Sequence, residues 1–423
     1  MSALAWTAVV SLAAWLWLLL GHGFFWRTDQ RLPPREPPAD WPAVAVVVPA
    51  RDEAEVLPVT LPTLLAQDYP GRAEIVLVDD GSSDGTGELA RALAERYGGL
   101  PLRVVSPGEP PRGWTGKLWA LRHGIETARA GRRSGDGPDG PDGPERPGGP
   151  GAGCSVTDGT VAEGPEYLLL TDADIAHGPD SLRELTAAAR AGRLDLVSQM
   201  ARLRVACGWE RLTVPAFVYF FAQLYPFRWV NRPRARTAAA AGGCVLLRTE
   251  AAERAGVPES VRQAVIDDVS LARAVQRSGG RIWLGLAERV DSVRPYPRLA
   301  DVWRMVSRSA YAQLRHSPLL LAGTAAGLTV VYLIPPAALC AGLLLGDAPA
   351  AWAGGAAWAV MAGSYLPMLR YYGQSPLWAL LLPCTALLYL LMTLDSAVAH
   401  RKGRGAAWKG RTYPRPGPAA PDR

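Results

Sequence analysis

Apolar and polar positions change rhythm several times along the chain. An uncharged apolar run at 4–25, "LAWTAVVSLAAWLWLLLGHGFF", is long enough for a membrane span of about 20 residues. From 43 onward, short apolar bursts alternate with longer amphipathic stretches. "AVAVVV" (43–48), "EIVLV" (74–78), "LRVVS" (102–106) and "YLLL" (167–170) have the length of buried strands. Between them 53–67, 85–97 and 115–130 read as helical. This order predicts an α/β domain over 42–316, with a mostly parallel sheet covered by helices on both faces. Ligands on such sheets sit at the C-terminal edge of the strands.

Past 316 the chain turns apolar again, and 319–345, 350–369 and 377–394 each read as a span before a basic tail at 396–423. None of the three carries an acid or base in its middle, which favours anchoring over transport. The first run competes with a signal peptide, but it lacks a basic leader and a small-residue cleavage site, so 1–26 reads as an anchor. Arg27, Arg31 and Arg35 follow it, and the positive-inside rule then puts the soluble domain in the cytoplasm of a multi-pass membrane protein. Three C-terminal crossings would carry the basic stretch 400–411 outside. Either one segment is re-entrant or the tail breaks the rule.

Composition narrows the function classes. A net charge of +6 over 423 residues, with no long basic run, gives no reason to expect nucleic acid as a partner. The five cysteines are scattered, with no CxxC or Cys/His cluster, so neither a disulfide framework nor a zinc site is indicated. The stretch 131–164 is rich in Gly, Pro and Asp and nearly free of large apolar residues, the composition of a disordered surface insertion.

Three of the expected strands end in polar clusters: "PARDE" (Pro49, Arg51, Glu53), "DDGSSDGT" (Asp79, Asp80) and "TDADI" (Asp172, Asp174). A dinucleotide fold would place G-x-G-x-x-G after the first strand, so a nicotinamide or flavin cofactor is not expected. Asp84 or Ser83 can cap the next helix, which leaves Asp79 and Asp80 to meet the donors of a base and ribose. A lone D-x-D such as Asp172/Asp174 is more often a strand end. Beside Asp79 and Asp80, the pair reads as a seat for a hard divalent cation, Mg²⁺ or Mn²⁺. Lys117, at a Gly-flanked helix start, is either a solvated lysine or a contact for a diphosphate. Gly242 and Gly243 suit a tight turn or a close backbone approach to a ligand. Asp267 and Asp268 open an amphipathic helix, as dipole-compensating carboxylates or with one of them as a general base.

Taken in order, "PARDE", "VDDGSSDGT", Lys117 in "GWTGK", "TDADI", Gly242-Gly243 and "IDDVSL" resemble the family 2 glycosyltransferases of the GT-A fold, over nearly the whole soluble domain. The membrane runs, "GWTGK" and "QLRHSP" bring the hopene-associated glycosyltransferases of hopanoid biosynthesis nearest. The resemblance implies a metal-dependent, inverting transfer of one sugar from a nucleotide-sugar donor to a lipid acceptor. It implies that Glu53, Asp79 and Asp80 hold base and ribose, together with Pro49 and Arg51, and that Asp174 ligates the metal. Asp172 would contact ribose or metal-bound water, and Lys117, Gly242 and Gly243 would line the donor. Asp268 matches the family's catalytic base, and Asp267 stands where the family has glutamate. The Gln/Arg-x-x-Arg-Trp motif of processive relatives is absent. Arg304, Arg308, Gln313 and Arg315 are what this chain offers on the acceptor side.

The aromatic stretch 212–236, closing on Arg228, Arg232, Arg234 and Arg236, reads as a core helix or as a segment at the lipid headgroups, and the second reading is preferred. A polyprenyl, carotenoid or other lipid is the alternative acceptor. The rivals to a glycosyltransferase are a nucleotidyltransferase, whose Gly-rich phosphate loop is missing, and a non-catalytic membrane scaffold.

Overall fold

The computed structural model describes residues 1–32, 36–130, 164–264 and 266–402, with two short tail strands, Ala407–Trp408 and Arg411–Thr412. Arg35 and nearly all of the 131–164 insertion lie outside the described residues.

Eight strands form one sheet: β1 (Val44–Ala50), β2 (Ala73–Asp79), β3 (Leu102–Val105), β4 (Tyr167–Thr171), β5 (Ile175–His177), β6 (Leu196–Leu203), β7 (Cys244–Arg248) and β8 (Ile282–Ser292). Their order is β3-β2-β1-β4-β7-β6-β8-β5. β3, β2, β1 and β4 run parallel, β7 runs against both β4 and β6, β8 follows β6, and β5 runs against β8. The expected parallel half is present, and two reversed strands make the sheet mixed. β1 is buried along its whole length because helices cover both faces, which is why its sequence is unbroken Val, Ala and Pro. The helix Gly116–Ala130 lies close on this half of the sheet. A Cβ on Gly124 would come within 2.4 Å of Val47, so only glycine fits there.

These directions gather the polar clusters. β1, β2 and β4 end at one edge, in register Ala50 to Asp79 and Val47 to Leu170. Because β7 runs against β4, its first residue Cys244 pairs with Thr171, which brings Gly242 and Gly243 to the same edge. The helix Asp267–Arg277 leads into β8, so its N-terminus returns there too.

Among the described residues, three helices are long and apolar enough to cross a membrane: Ala3–Gly21, Pro318–Leu345 and Pro376–Arg401. The stretch expected to span at 350–369 forms the helix Ala348–Tyr371, but its Gly, Trp, Tyr and Pro residues lower its mean hydropathy and keep it out of that set. It nevertheless packs against Ile334–Leu345 and returns to the soluble domain, where Tyr371 donates a hydrogen bond to Ala287 O. Half of the apolar window in Pro376–Arg401 is buried, against 28% in Ala3–Gly21, because it lies along the soluble domain. Tyr389 donates to Thr213 O (3.1 Å), Trp303 to Asp395 (2.8 Å), and the Tyr311 amide to Ser396 (3.1 Å).

The aromatic segment corrects an expectation. Gly208–Leu224 is a helix whose Thr213, Val214, Tyr219 and Ala222 are buried, with Tyr219 hydrogen-bonded to Ser364 at 2.6 Å. Much of its apolar surface packs against the C-terminal helices, so the core reading holds for its middle, with Trp209 and Leu224 at its two ends left exposed. Arg232, Arg234 and Arg236, beyond it, are exposed as well.

Candidate active site

Two loops at the edge knit together first. Asp52, in the left-handed region at φ 50°, accepts hydrogen bonds from the Ser83 amide (2.8 Å) and hydroxyl, while its own amide donates to Ser82 (3.0 Å). The Glu53 amide donates to Thr86 (2.9 Å) and the Ala54 amide to Asp84 (2.9 Å). Asp84 also accepts from the Thr86 amide (3.1 Å) at the start of the helix Thr86–Tyr97, and these bonds hold its carboxyl below the usual range against the opposing effect of burial. Asp79 accepts from the Ser82 amide at 2.9 Å. Asp80 is fully buried beside Arg51, whose guanidinium reaches both its carbonyl and its carboxylate. Pro49, Arg51, Glu53, Asp79 and Asp80 thus converge on one pair of joined loops.

A second group surrounds Lys117. Its ammonium lies 2.8 Å from Asp172 and 3.1 Å from Asp267, with Asp268 behind them. Burial opposes its charge, but the carboxylates outweigh that and raise its pKa. Asp268 accepts from the Gly242 amide (3.0 Å) and the Val269 amide (2.7 Å). A side chain at Gly242 would meet Asp268 at 3.4 Å and Lys117 at 3.6 Å, which makes this glycine the floor of the site. A cavity of ≈ 30 Å³ beside the group is walled by Leu118, Leu121 and Val245 opposite Lys117, Asp172 and Asp268. Burial, then the like charge of Asp267, pushes the Asp268 carboxyl up to about 7. Burial raises Asp172 as well, with Lys117 acting against the rise.

Arg294 ties the joined loops to Asp174, two residues beyond Asp172, and sequence reasoning missed it. Its Nε donates to Asp174 at 2.9 Å and its Nη2 to Glu53 at 2.7 and 2.9 Å. Ser292, the last residue of β8, also reaches Asp174, at 3.3 Å. The chain after Arg294 is pinned by Glu210, a fully buried carboxylate that accepts from the amides of Ala206, Cys207 and Tyr296.

The acceptor-side candidates lie apart. Arg304 pairs with Asp301 at 2.6 Å on its own helix, and Gln313 donates to Tyr225. Among the described residues, no hydrogen bond or ion pair joins Arg304, Arg308, Gln313 or Arg315 to the acidic groups.

A family model described as "Glycosyltransferase like family 2" matches residues 42–312. The chain belongs to that family. The fold agrees. A mannosyltransferase from Pyrobaculum calidifontis, PcManGT, solved in complex with GDP-Man and Mn²⁺, superposes with a TM-score of 0.55 at 20% identity, covering 94% of this chain and 99% of that one. The domain is therefore a GT-A fold. Curated relatives match over shorter stretches. A probable glycosyltransferase of Bacillus subtilis, YdaM, is 35% identical over 92 residues, 22% of this chain and 21% of its own length. A beta-monoglucosyldiacylglycerol synthase of Synechocystis is 31% identical over 136 residues, 27% of each chain. The matched stretches span only about a fifth to a quarter of these relatives.

The donor set suits a divalent cation. Asp172 and Asp174 offer hard carboxylate oxygens one residue apart, and each already holds a cationic side chain, Lys117 or Arg294. Among the described residues, no three acidic, His or Cys side chains converge as a metal cage. Small hard cations do not need one, since one or two carboxylates complemented by phosphates and water commonly suffice.

Proposed function

We propose that this family 2 glycosyltransferase transfers a single sugar, with inversion, from a nucleotide-sugar donor to a lipid acceptor at the cytoplasmic membrane. The observation that carries the reading is Asp268, held by two backbone amides beside Lys117, with its carboxyl pushed to about 7. A base poised near neutrality both collects and releases a proton readily. Asp268 takes the acceptor hydroxyl's proton as the oxygen attacks the anomeric carbon. Lys117 faces the departing diphosphate, and the Arg51–Asp80 and Asp79 loops hold the nucleoside. A divalent cation at Asp172 and Asp174 would supply further charge neutralisation for the diphosphate.

The lipid acceptor is supported by the helices long and apolar enough to span a membrane and by the likeness to a diacylglycerol glucoside synthase. A hopanoid-type acceptor remains the specific form we favour, from the "GWTGK" and "QLRHSP" stretches. The test is purified full-length protein incubated with lipid extract and a panel of nucleotide-sugars, with and without Mn²⁺. Nucleoside diphosphate release coupled to a new glycolipid is expected. Release from no donor would leave a non-catalytic scaffold, and a soluble glycoside as product would remove the lipid acceptor.

A further inference from the structure

A second polar site lies away from the acidic cluster. We propose that the cleft between the end of the helix Ala3–Gly21 and the turn Phe227–Val230 binds the headgroup of an anionic phospholipid. The cleft holds ≈ 570 Å³ and is walled by Leu20, Gly23, Phe24, Arg228, Trp229 and Arg232. Its two sides are in firm contact. Gly23 has φ +63°, and a Cβ there would come within 2.8 Å of Pro226 and 2.9 Å of the Trp229 indole nitrogen.

The charge balance points to an anion. Arg27 and Arg228 share one carboxylate, Asp29, and among the described residues Arg228 Nε is buried with no hydrogen-bond partner. Arg232 is exposed and, among the described residues, pairs with no carboxylate. Three arginines less one aspartate leave a local charge of +2. The Trp229 indole N–H likewise donates to nothing among the described residues, so a phosphate in the cleft would meet a guanidinium and an N–H together.

Position identifies the anion as a lipid. The helix Ala3–Gly21 exposes Trp6, Val10, Leu16, Trp17 and Leu20 along its length, a surface for acyl chains. It ends at the cleft, where the sequence turns polar and headgroups lie. Basic pockets beside spanning helices are recognised lipid-headgroup seats. The cleft is distinct from the reaction centre. Asn231 bonds both backbone groups of Leu284 on β8, whereas the Asp174 contact is at Ser292; these two lie opposite Ser198 and Leu203, five residues and about 17 Å apart along β6.

The test is native mass spectrometry of the full-length protein in mild detergent, titrated with phosphatidylglycerol, phosphatidylcholine or inorganic phosphate. Phosphatidylglycerol is expected to be retained over phosphatidylcholine. Arg232→Gln, at an exposed position, should weaken that retention about fivefold, while Arg236→Gln, removing the same charge outside the cleft, should not. Trp229→Phe keeps the ring and should give a smaller loss. Equal retention of the two lipids, unchanged retention by Arg232→Gln, or an equal fall for Arg236→Gln would overturn the site. Displacement of the lipid by equimolar inorganic phosphate would make it a phosphate site instead.

Discussion

The ammonium of Lys117 stands 2.8 Å from Asp172, and the same nitrogen lies 3.1 Å from Asp267. One lysine therefore counters the acid at the exit of β4 and the acid next to the proposed base. Its charge also favours ionised Asp268. Lys117→Gln should raise the Asp268 pKa further, moving the acid limb of kcat/KM to higher pH as well as slowing transfer. A pH–rate profile checks this. A slower enzyme with an unmoved limb would confine Lys117 to the leaving group.

Asp267 acts in the opposite sense. After burial, its charge is the largest influence holding the Asp268 carboxyl near 7. Wild-type kcat/KM should rise with pH through about 7, where Asp268 loses its proton. Asp267→Asn removes the like charge, so the limb should shift to lower pH. Rates measured from pH 5 to 9 decide it, and a shift upward would mean that Asp267 acts mainly by seating Lys117.

Much of this arrangement is legible in the residues alone. β1, β2 and β4 announce themselves because strands buried on both faces are unbroken runs of apolar side chains. The pair Asp267–Asp268 is legible because Leu271 and Val275 follow at helical spacing. β6 and β8 are not, since β6 buries Ser198 and Gln199 while β8 interrupts its pattern with Glu288, Arg289 and Asp291. Arg294 could not be found by spacing at all. Its partners Asp174 and Glu53 lie 120 and 241 positions away, and β8 has to be placed before the contact exists.

Arg294 then makes a prediction of its own. It neutralises Asp174, the carboxylate proposed to ligate the cation, so a guanidinium and a metal compete for one oxygen. Arg294→Gln should tighten binding of Mn²⁺ alone by about tenfold, a modest share of the interaction between unit charges at this range. Calorimetric titration without nucleotide reads it directly. Unchanged Mn²⁺ affinity would place the cation elsewhere, and Arg294→Lys should stay near wild type.

The helices bear on where the tail emerges. Ser2 bonds Asp347, whereas Tyr371 and Ser396 both touch the soluble domain. Ala348–Tyr371 thus comes back to the domain, and Pro376–Arg401 stays along it. This predicts a C-terminus on the same side as the domain, the side the positive-inside rule prefers for a basic tail. A reporter fused after the last residue and one inserted at 131–164 should score alike. Opposite signals would make Pro376–Arg401 a true crossing.

The sharpest separation is between Asp174 and Asp268. Asp174 lies with Arg294 and Glu53, and Asp268 with Lys117 and Gly242, so the two carboxylates can be removed one at a time. If Asp174 ligates the cation, Asp174→Asn should weaken metal-dependent binding of nucleoside diphosphate and abolish transfer as well. If Asp268 is the base, Asp268→Asn should leave donor and metal binding nearly intact. Transfer should still fall about 10²–10⁴-fold, the usual contribution of a positioned base. Titration with nucleoside diphosphate plus Mn²⁺ and turnover on lipid extract give the two readings. Near-normal turnover by Asp268→Asn would move the role of base to Asp267, 3.1 Å from Lys117. Unchanged metal-dependent binding by Asp174→Asn would leave that carboxylate as the partner of Arg294 alone.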